Sequence, residues 1–158
     1  MEIAYRQTIS VVGIVTRTKN VDEDNPGTSK ILPLWQHFYQ NLYPQHLSGD
    51  CIYGVYSNYE LNGANGFDVT AGGYDVMAAV EDCAGNYAVG LAAQRIELGA
   101  GKYLLFTDQA GEGNPVLQLW RQAWGHFGQP DCPLQREYKT DYEIYHPEGK
   151  IELFIGIQ

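Results

Sequence analysis

The chain has 158 residues with 10 Lys and Arg against 19 Asp and Glu, a formal charge of −9. That balance excludes the clustered basic surface on which nucleic-acid binding depends. Hydrophobic residues make up 44% and aromatics 13%, 12 of them tyrosines, which excludes disorder and leaves more rings than a core of this size needs. One domain over 1–158 is expected, able to bury roughly 70% of its unfolded surface. Cys51, Cys83 and Cys132 form no C-x-x-C pair and no metal-ligand spacing. Structural thiols in a reducing compartment, with no metal and no cofactor, are therefore expected. The first residues lack a signal-peptide layout, and no run approaches the ~18 apolar residues of a membrane span. A cytoplasmic location away from membranes follows.

In chain order, residues 9–15 read as a strand. From Ile31 the apolar residues Ile31, Leu34, Trp35, Phe38, Tyr39 and Leu42 follow one face of an amphipathic helix, with Thr28 or Ser29 as its cap. A hairpin follows: residues 53–56, a turn at 62–66, then 67–72 as the returning strand. Residues 78–98 read as an alanine-rich connector with an edge strand at 90–98. Residues 102–107 form a strand. Val116, Leu119, Trp120, Ala123, Trp124 and Phe127 then repeat the first helix pattern 85 residues later, with Asn114-Pro115 as the start and Gly128 as the stop. A second hairpin pairs 142–145 with 151–157 around Pro147-Glu148-Gly149.

The unit is thus β-α-β-β, used twice, in halves of about 1–77 and 99–158. The expected class is α+β, with one antiparallel sheet, two helices on one face and a ligand cleft between the halves.

No G-x-G-x-x-G, P-loop, H-E-x-x-H or G-x-S-x-G motif is present. His37, His46, His126 and His146 show no ligand spacing and read as surface or helix-end residues. Glu143 is singled out by alternation along its strand, which pairs it with Tyr145. The repeat adds Gly54 and Tyr56. With Leu153, Ile155 and Ile157 assigned to the helices, Phe154 joins Glu143 on the face away from them. A carboxylate desolvated among rings tends to protonate unless a cation arrives, and aromatic faces attract cations. This combination selects flat, lipophilic, positively charged ligands. Trp35, Tyr39, Trp120 and Trp124 fit either a core or the walls of such a cleft.

In order along the chain, Phe67-Asp68-Val69-Thr70-Ala71-Gly72, Gly101-Lys102-Tyr103-Leu104-Leu105-Phe106, Leu119-Trp120, Tyr142-Glu143-Ile144-Tyr145 and Glu152-Leu153-Phe154-Ile155-Gly156-Ile157 resemble the GyrI-like effector-binding family. Domains of this kind serve AraC-type and multidrug-responsive transcription regulators, and stand-alone members include some from integron gene cassettes. The resemblance implies a cleft between duplicated halves, with Glu143 as the buried carboxylate that meets cationic drugs. It also implies two alternatives: a small hydrolase using Glu143 with Tyr56 or Tyr145, and a protein-interaction module of the gyrase-inhibitor type. Gly156 stands where many members have proline, and residues 78–90 are longer than usual, which suggests an extra lid or partner contact. No helix-turn-helix pattern precedes residue 9. Any role in transcription is then expected to pass through a protein partner such as a DNA-binding regulator.

Overall fold

The computed structural model describes residues 1–42, 51–63, 66–82 and 93–158. Eight strands form one sheet: β1 (Glu2–Arg6), β2 (Ile9–Thr18), β3 (Ile52–Ser57), β4 (Tyr74–Glu81), β5 (Gln94–Leu98), β6 (Gly101–Gln109), β7 (Thr140–Tyr145) and β8 (Lys150–Gly156). Their spatial order is β1-β6-β8-β7-β3-β4-β2-β5, and every neighbouring pair is antiparallel. The helices are α1 (Asn20–Glu23), α2 (Ile31–His37), continued by a π-helical turn over Phe38–Leu42, and α3 (Pro115–Phe127). None of the described helices is long and apolar enough to cross a membrane.

The sheet order is a palindrome of the two repeats. Reading outward from the centre, β7-β8-β6 mirrors β3-β4-β2, so a pseudo-twofold axis passes between β3 and β7. These two strands pair with Gly54 opposite Glu143. The repeat expected from the two helix patterns is therefore present, as one α+β sheet with both long helices on the same face. The strand expected at 90–98 appears as β5 on the sheet edge beside β2, its first residues lying outside those described.

The returning strand of the first hairpin differs from expectation. Residues 67–72 are not a strand. The Asp68 carboxylate accepts from the backbone N–H of Thr70 (2.9 Å) and Ala71 (3.0 Å), so this polar side chain closes a local turn in competition with the ladder. The strand is β4, displaced into the segment read as a connector. Its residues Val76 to Val80 are buried on both sides, giving a continuous apolar run without alternation.

The start of α2 also differs. Neither Thr28 nor Ser29 caps it; Lys30 occupies the cap position and makes no side-chain cap bond. The Glu23 carboxylate of α1 takes that role. It accepts from the N–H of Lys30 (2.9 Å) and Ile31 (3.4 Å), from Ser29 Oγ (2.7 Å) and from Thr18 Oγ1 (2.6 Å). At α3 the expected cap is formed: Asn114 Oδ1 accepts from Leu117 N at 3.0 Å, with Pro115 in the first turn.

The helix face of the sheet buries Val12, Ile14, Val76, Ala78 and Val80 beneath Leu34 and Phe38. It buries Leu104, Phe106, Leu153 and Ile155 beneath Leu119, Trp120 and Ala123. The other face is equally apolar, with Val11, Tyr53, Val55, Met77, Leu105, Tyr142 and Phe154 buried and none of the described helices packed above them. The sheet covers this face by curling on itself. Arg6 of the edge strand β1 reaches across to donate to Tyr142 Oη (3.1 Å) and lies 4.7 Å above the Phe154 ring.

Candidate functional site

Glu143 stands at the centre of the sheet with 1% of its surface exposed. Cross-strand pairing puts it opposite Leu153 in β8 and Gly54 in β3, so its side chain rises on the helix face. The expectation that it points away from the helices is corrected here. Tyr142 and Ile144 occupy the far face. Phe154 is corrected as well: it pairs with Tyr142, stacks on that ring at 4.9 Å and does not join the carboxylate.

Three neutral donors hold the carboxylate. Oε1 accepts from Trp120 Nε1 (2.6 Å) and from Tyr56 Oη (2.9 Å), and Oε2 accepts from Tyr145 Oη (2.5 Å). No Lys, Arg or His among the described residues pairs with it. Burial pushes its proton affinity up, and the bonds from Tyr145, Trp120 and Tyr56 pull back only part of the way, leaving its pKa above the usual carboxyl range. Burial and the adjacent Glu143 charge drive the phenols of Tyr56 and Tyr145 well above the ordinary tyrosine value, so both remain donors.

Gly54 makes room for this cluster. A Cβ there would lie 2.5 Å from Glu143 Oε2 and 3.3 Å from Cζ2 of Trp35, so a larger residue would displace the carboxylate.

The remaining sequence candidates fall on two sides of the axis. Tyr56, Trp120 and Trp124 line one cleft of about 550 Å³, with Tyr56 and Trp120 edge to face at 4.8 Å and Trp120 and Trp124 5.9 Å apart. Trp35, Tyr39 and Tyr145 lie on the other side, outside that cleft, with Trp35 5.7 Å from Tyr145 and 6.1 Å from Tyr39. Glu143 itself does not line the cleft; it lies behind the Tyr56 and Trp120 rings.

Sequence reasoning missed the far wall of this cleft, which includes Tyr59, Phe67, Tyr74 and Arg136, and its rim at Asn20, Glu23 and Asp24. A usable signal was Asp141: two residues before Glu143, it shares the helix face and is fully buried. It pairs with Arg136 and accepts from Tyr59 Oη at 2.6 Å. Among the described residues no group of three or more His, Cys, Asp or Glu side chains is arranged to hold a metal ion. His37 and His126 lie in the last turns of α2 and α3, His146 is bonded to Glu152 at 2.6 Å, and His46 is outside the described residues, as is Cys83.

The family model Cass2, integron-associated effector binding protein, matches residues 2–157. The chain belongs to this family. Cass2 proteins are an effector-binding class. An integron cassette protein from the mobile metagenome of Vibrio cholerae is 32% identical, with a TM-score of 0.85 over 99% of this chain and 95% of that one. Two more distant structures share the fold. SAV2435, solved bound to tetraphenylphosphonium, is 18% identical with a TM-score of 0.64, covering 99% of this chain and 93% of its own. A Staphylococcus aureus MU50 protein, provisionally assigned to transcription regulation, is 19% identical with a TM-score of 0.65, covering 99% and 97%. A comparison with curated proteins finds no match.

Proposed function

We propose that the effector is a lipophilic organic cation, bound in the aromatic cleft with Glu143 as the neutralising charge. The observation that carries this reading is a buried carboxylate held only by neutral donors, directly behind two of the rings that line an open cleft. Such a carboxylate lacks its own counter-ion, and a hydrophobic cation supplies one without the hydration cost of a small ion. The charge acts through the rings it holds. A phenol and an indole that donate to a carboxylate gain electron density on their π faces, which strengthens cation–π attraction. SAV2435, which shares the fold, was solved with a ligand of this chemical kind. In the same reading the loaded cleft is a sensory state, passed to a partner such as a DNA-binding regulator.

Isothermal titration with tetraphenylphosphonium and with tetraphenylborate, which have the same shape and opposite charge, tests the reading. The cation is expected to bind and the anion not. Glu143→Gln is expected to weaken the cation about 5- to 30-fold, the worth of ~1–2 kcal/mol of desolvated cation–π attraction. Equal binding of the two ions, or undiminished cation binding by the variant, refutes it.

A further inference from the structure

Arg136 carries donors that no described residue uses. Its guanidinium lies 4.3 Å from the centre of the Tyr138 ring and 5.8 Å from that of Tyr59, and its side chain is only 8% exposed. Nη2 pairs with Asp141 Oδ2 at 2.5 Å. Asp141 also accepts from Tyr59 Oη (2.6 Å) and from the backbone N–H of Gly156 (2.8 Å). Nε is buried with no hydrogen-bond partner, and Nη1 makes no hydrogen bond to any described residue. A guanidinium has five N–H groups in a fixed plane, and burying it with one of them bonded is costly. The Tyr138 ring, 4.3 Å away, offers the guanidinium a cation–π contact but no hydrogen-bond acceptor.

Arg136 belongs to the cleft wall, and with Nε sealed from solvent the unused donor it can offer a ligand there is Nη1. Asp141 and Glu143 lie two residues apart on β7 and share a face, which separates them by about 7 Å. The Arg136 site therefore begins one strand repeat from the buried carboxylate. The first turn of α3, with Asn114, Val116 and Leu117, lines the same cleft and adds the positive end of a 13-residue helix. Of the two acidic groups at the rim, Glu23 is occupied by its four donors, which leaves Asp24.

We infer that Arg136 forms an acceptor subsite, so that this cleft selects cations that carry a carboxylate or carbonyl oxygen on an arm. The inference rests on the cation reading above and narrows it. A simple anion gains little here, because Asp141 already balances the guanidinium charge; the subsite recognises an acceptor on a ligand that Glu143 attracts.

Titration with pentyltriphenylphosphonium and (4-carboxybutyl)triphenylphosphonium at about pH 7.5 isolates the subsite, since the two differ only at the end of the arm. The wild-type protein is expected to bind the carboxylate form about 10-fold more tightly, as for one hydrogen bond to a charged group. Arg136→Lys keeps a cation against Asp141 but loses the planar fork. It should bring the ratio of the two affinities close to one. Should thermal melting show that this variant is unfolded, the double variant Arg136→Met/Asp141→Asn removes both charges together and should give the same ratio. Equal wild-type affinities, or a preference that survives in the folded variants, overturns the subsite alone. Failure of both phosphonium ions to bind overturns the cation reading and the subsite with it.

Discussion

The carboxyl of Glu143 couples ligand, proton and stability through one group. Its pKa is raised in the folded protein because burial outweighs the three hydrogen bonds. Between the ordinary carboxyl value and the raised one, the folded state binds more protons than the unfolded state. Stability therefore falls as pH rises through that window. Glu143→Gln is expected to flatten this part of the curve, measured as the melting temperature between about pH 4 and 8 relative to wild type. Cation binding has the opposite sign, because the ligand favours the ionised carboxylate. Tetraphenylphosphonium is expected to bind more tightly as pH rises through the same window, releasing up to one proton. Titration in buffers of different ionisation enthalpy measures that proton, and a pH-independent affinity with none released would show that the carboxyl is already ionised in the free protein. Gly54 belongs to the same group of contacts. Gly54→Ala brings a Cβ to 2.5 Å from Glu143 Oε2 and is expected to cost about 1–3 kcal/mol in urea unfolding, as overpacked cores do.

Among the elements, α1 does more than its four residues suggest. Glu23 satisfies the start of α2 and also lines the cleft, tying the rim to the helix that follows. Burial raises its pKa, but the bonds from Thr18, Lys30 N, Ser29 and Ile31 N prevail and hold it below the usual range. Its contribution is thus complete above the ordinary carboxyl value and lost as pH falls through the depressed one. Glu23→Ala is expected to destabilise by about 1 kcal/mol at neutral pH, the usual worth of a lost cap, and by less near pH 3. A deficit that grows on acidification would exclude the capping role. This cap was not legible in the sequence, because a carboxylate eight residues before Ile31 gives no local pattern. The helices themselves were legible, since Trp35 and Trp120 recur with the same apolar neighbours. So was the chemical identity of the Glu143 cluster, through the Tyr-Glu-x-Tyr alternation and its repeat partner Tyr56. The face was not. Both sides of this sheet are apolar, so alternation separates Glu143 from Tyr142 without saying which side the helices cover; only the register of β7 on β8 does. The same two-sided burial hid β4, and Arg136 gave no signal of its own; only its partner Asp141, which alternation puts on the face of Glu143, pointed towards it.

At the scale of the molecule, the pseudo-twofold axis explains why the site has one carboxylate and paired rings. Tyr56 and Tyr145 are repeat equivalents that both donate to Glu143, and Trp120 and Trp35 stand in equivalent places on α3 and α2. Glu143 faces its own equivalent, Gly54, across the central ladder. Two carboxylates at this point would lie too close for both to ionise, and the glycine supplies the volume that one carboxylate occupies. The cleft is nonetheless asymmetric, because the equivalent of Asp141 is Ile52. Only the half that contains Asp141 can hold Arg136 in the wall. A swap separates these two roles. Gly54→Glu alone is expected to lower the melting temperature by crowding like charges, and Glu143→Gly alone to lose tetraphenylphosphonium binding. The double variant Gly54→Glu/Glu143→Gly returns one carboxylate to the axis, between the same two tyrosines, and should recover cation affinity to within about 10-fold of wild type. Its preference for the carboxybutyl over the pentyl phosphonium should change more than its affinity for the pentyl compound, since the charge then projects from β3 while Arg136 remains beside β7. If the double variant binds no better than Glu143→Gly, the tyrosines alone do not define the carboxylate site, and the Trp120 indole, bonded at 2.6 Å to Glu143, is the contact that the symmetry fails to reproduce.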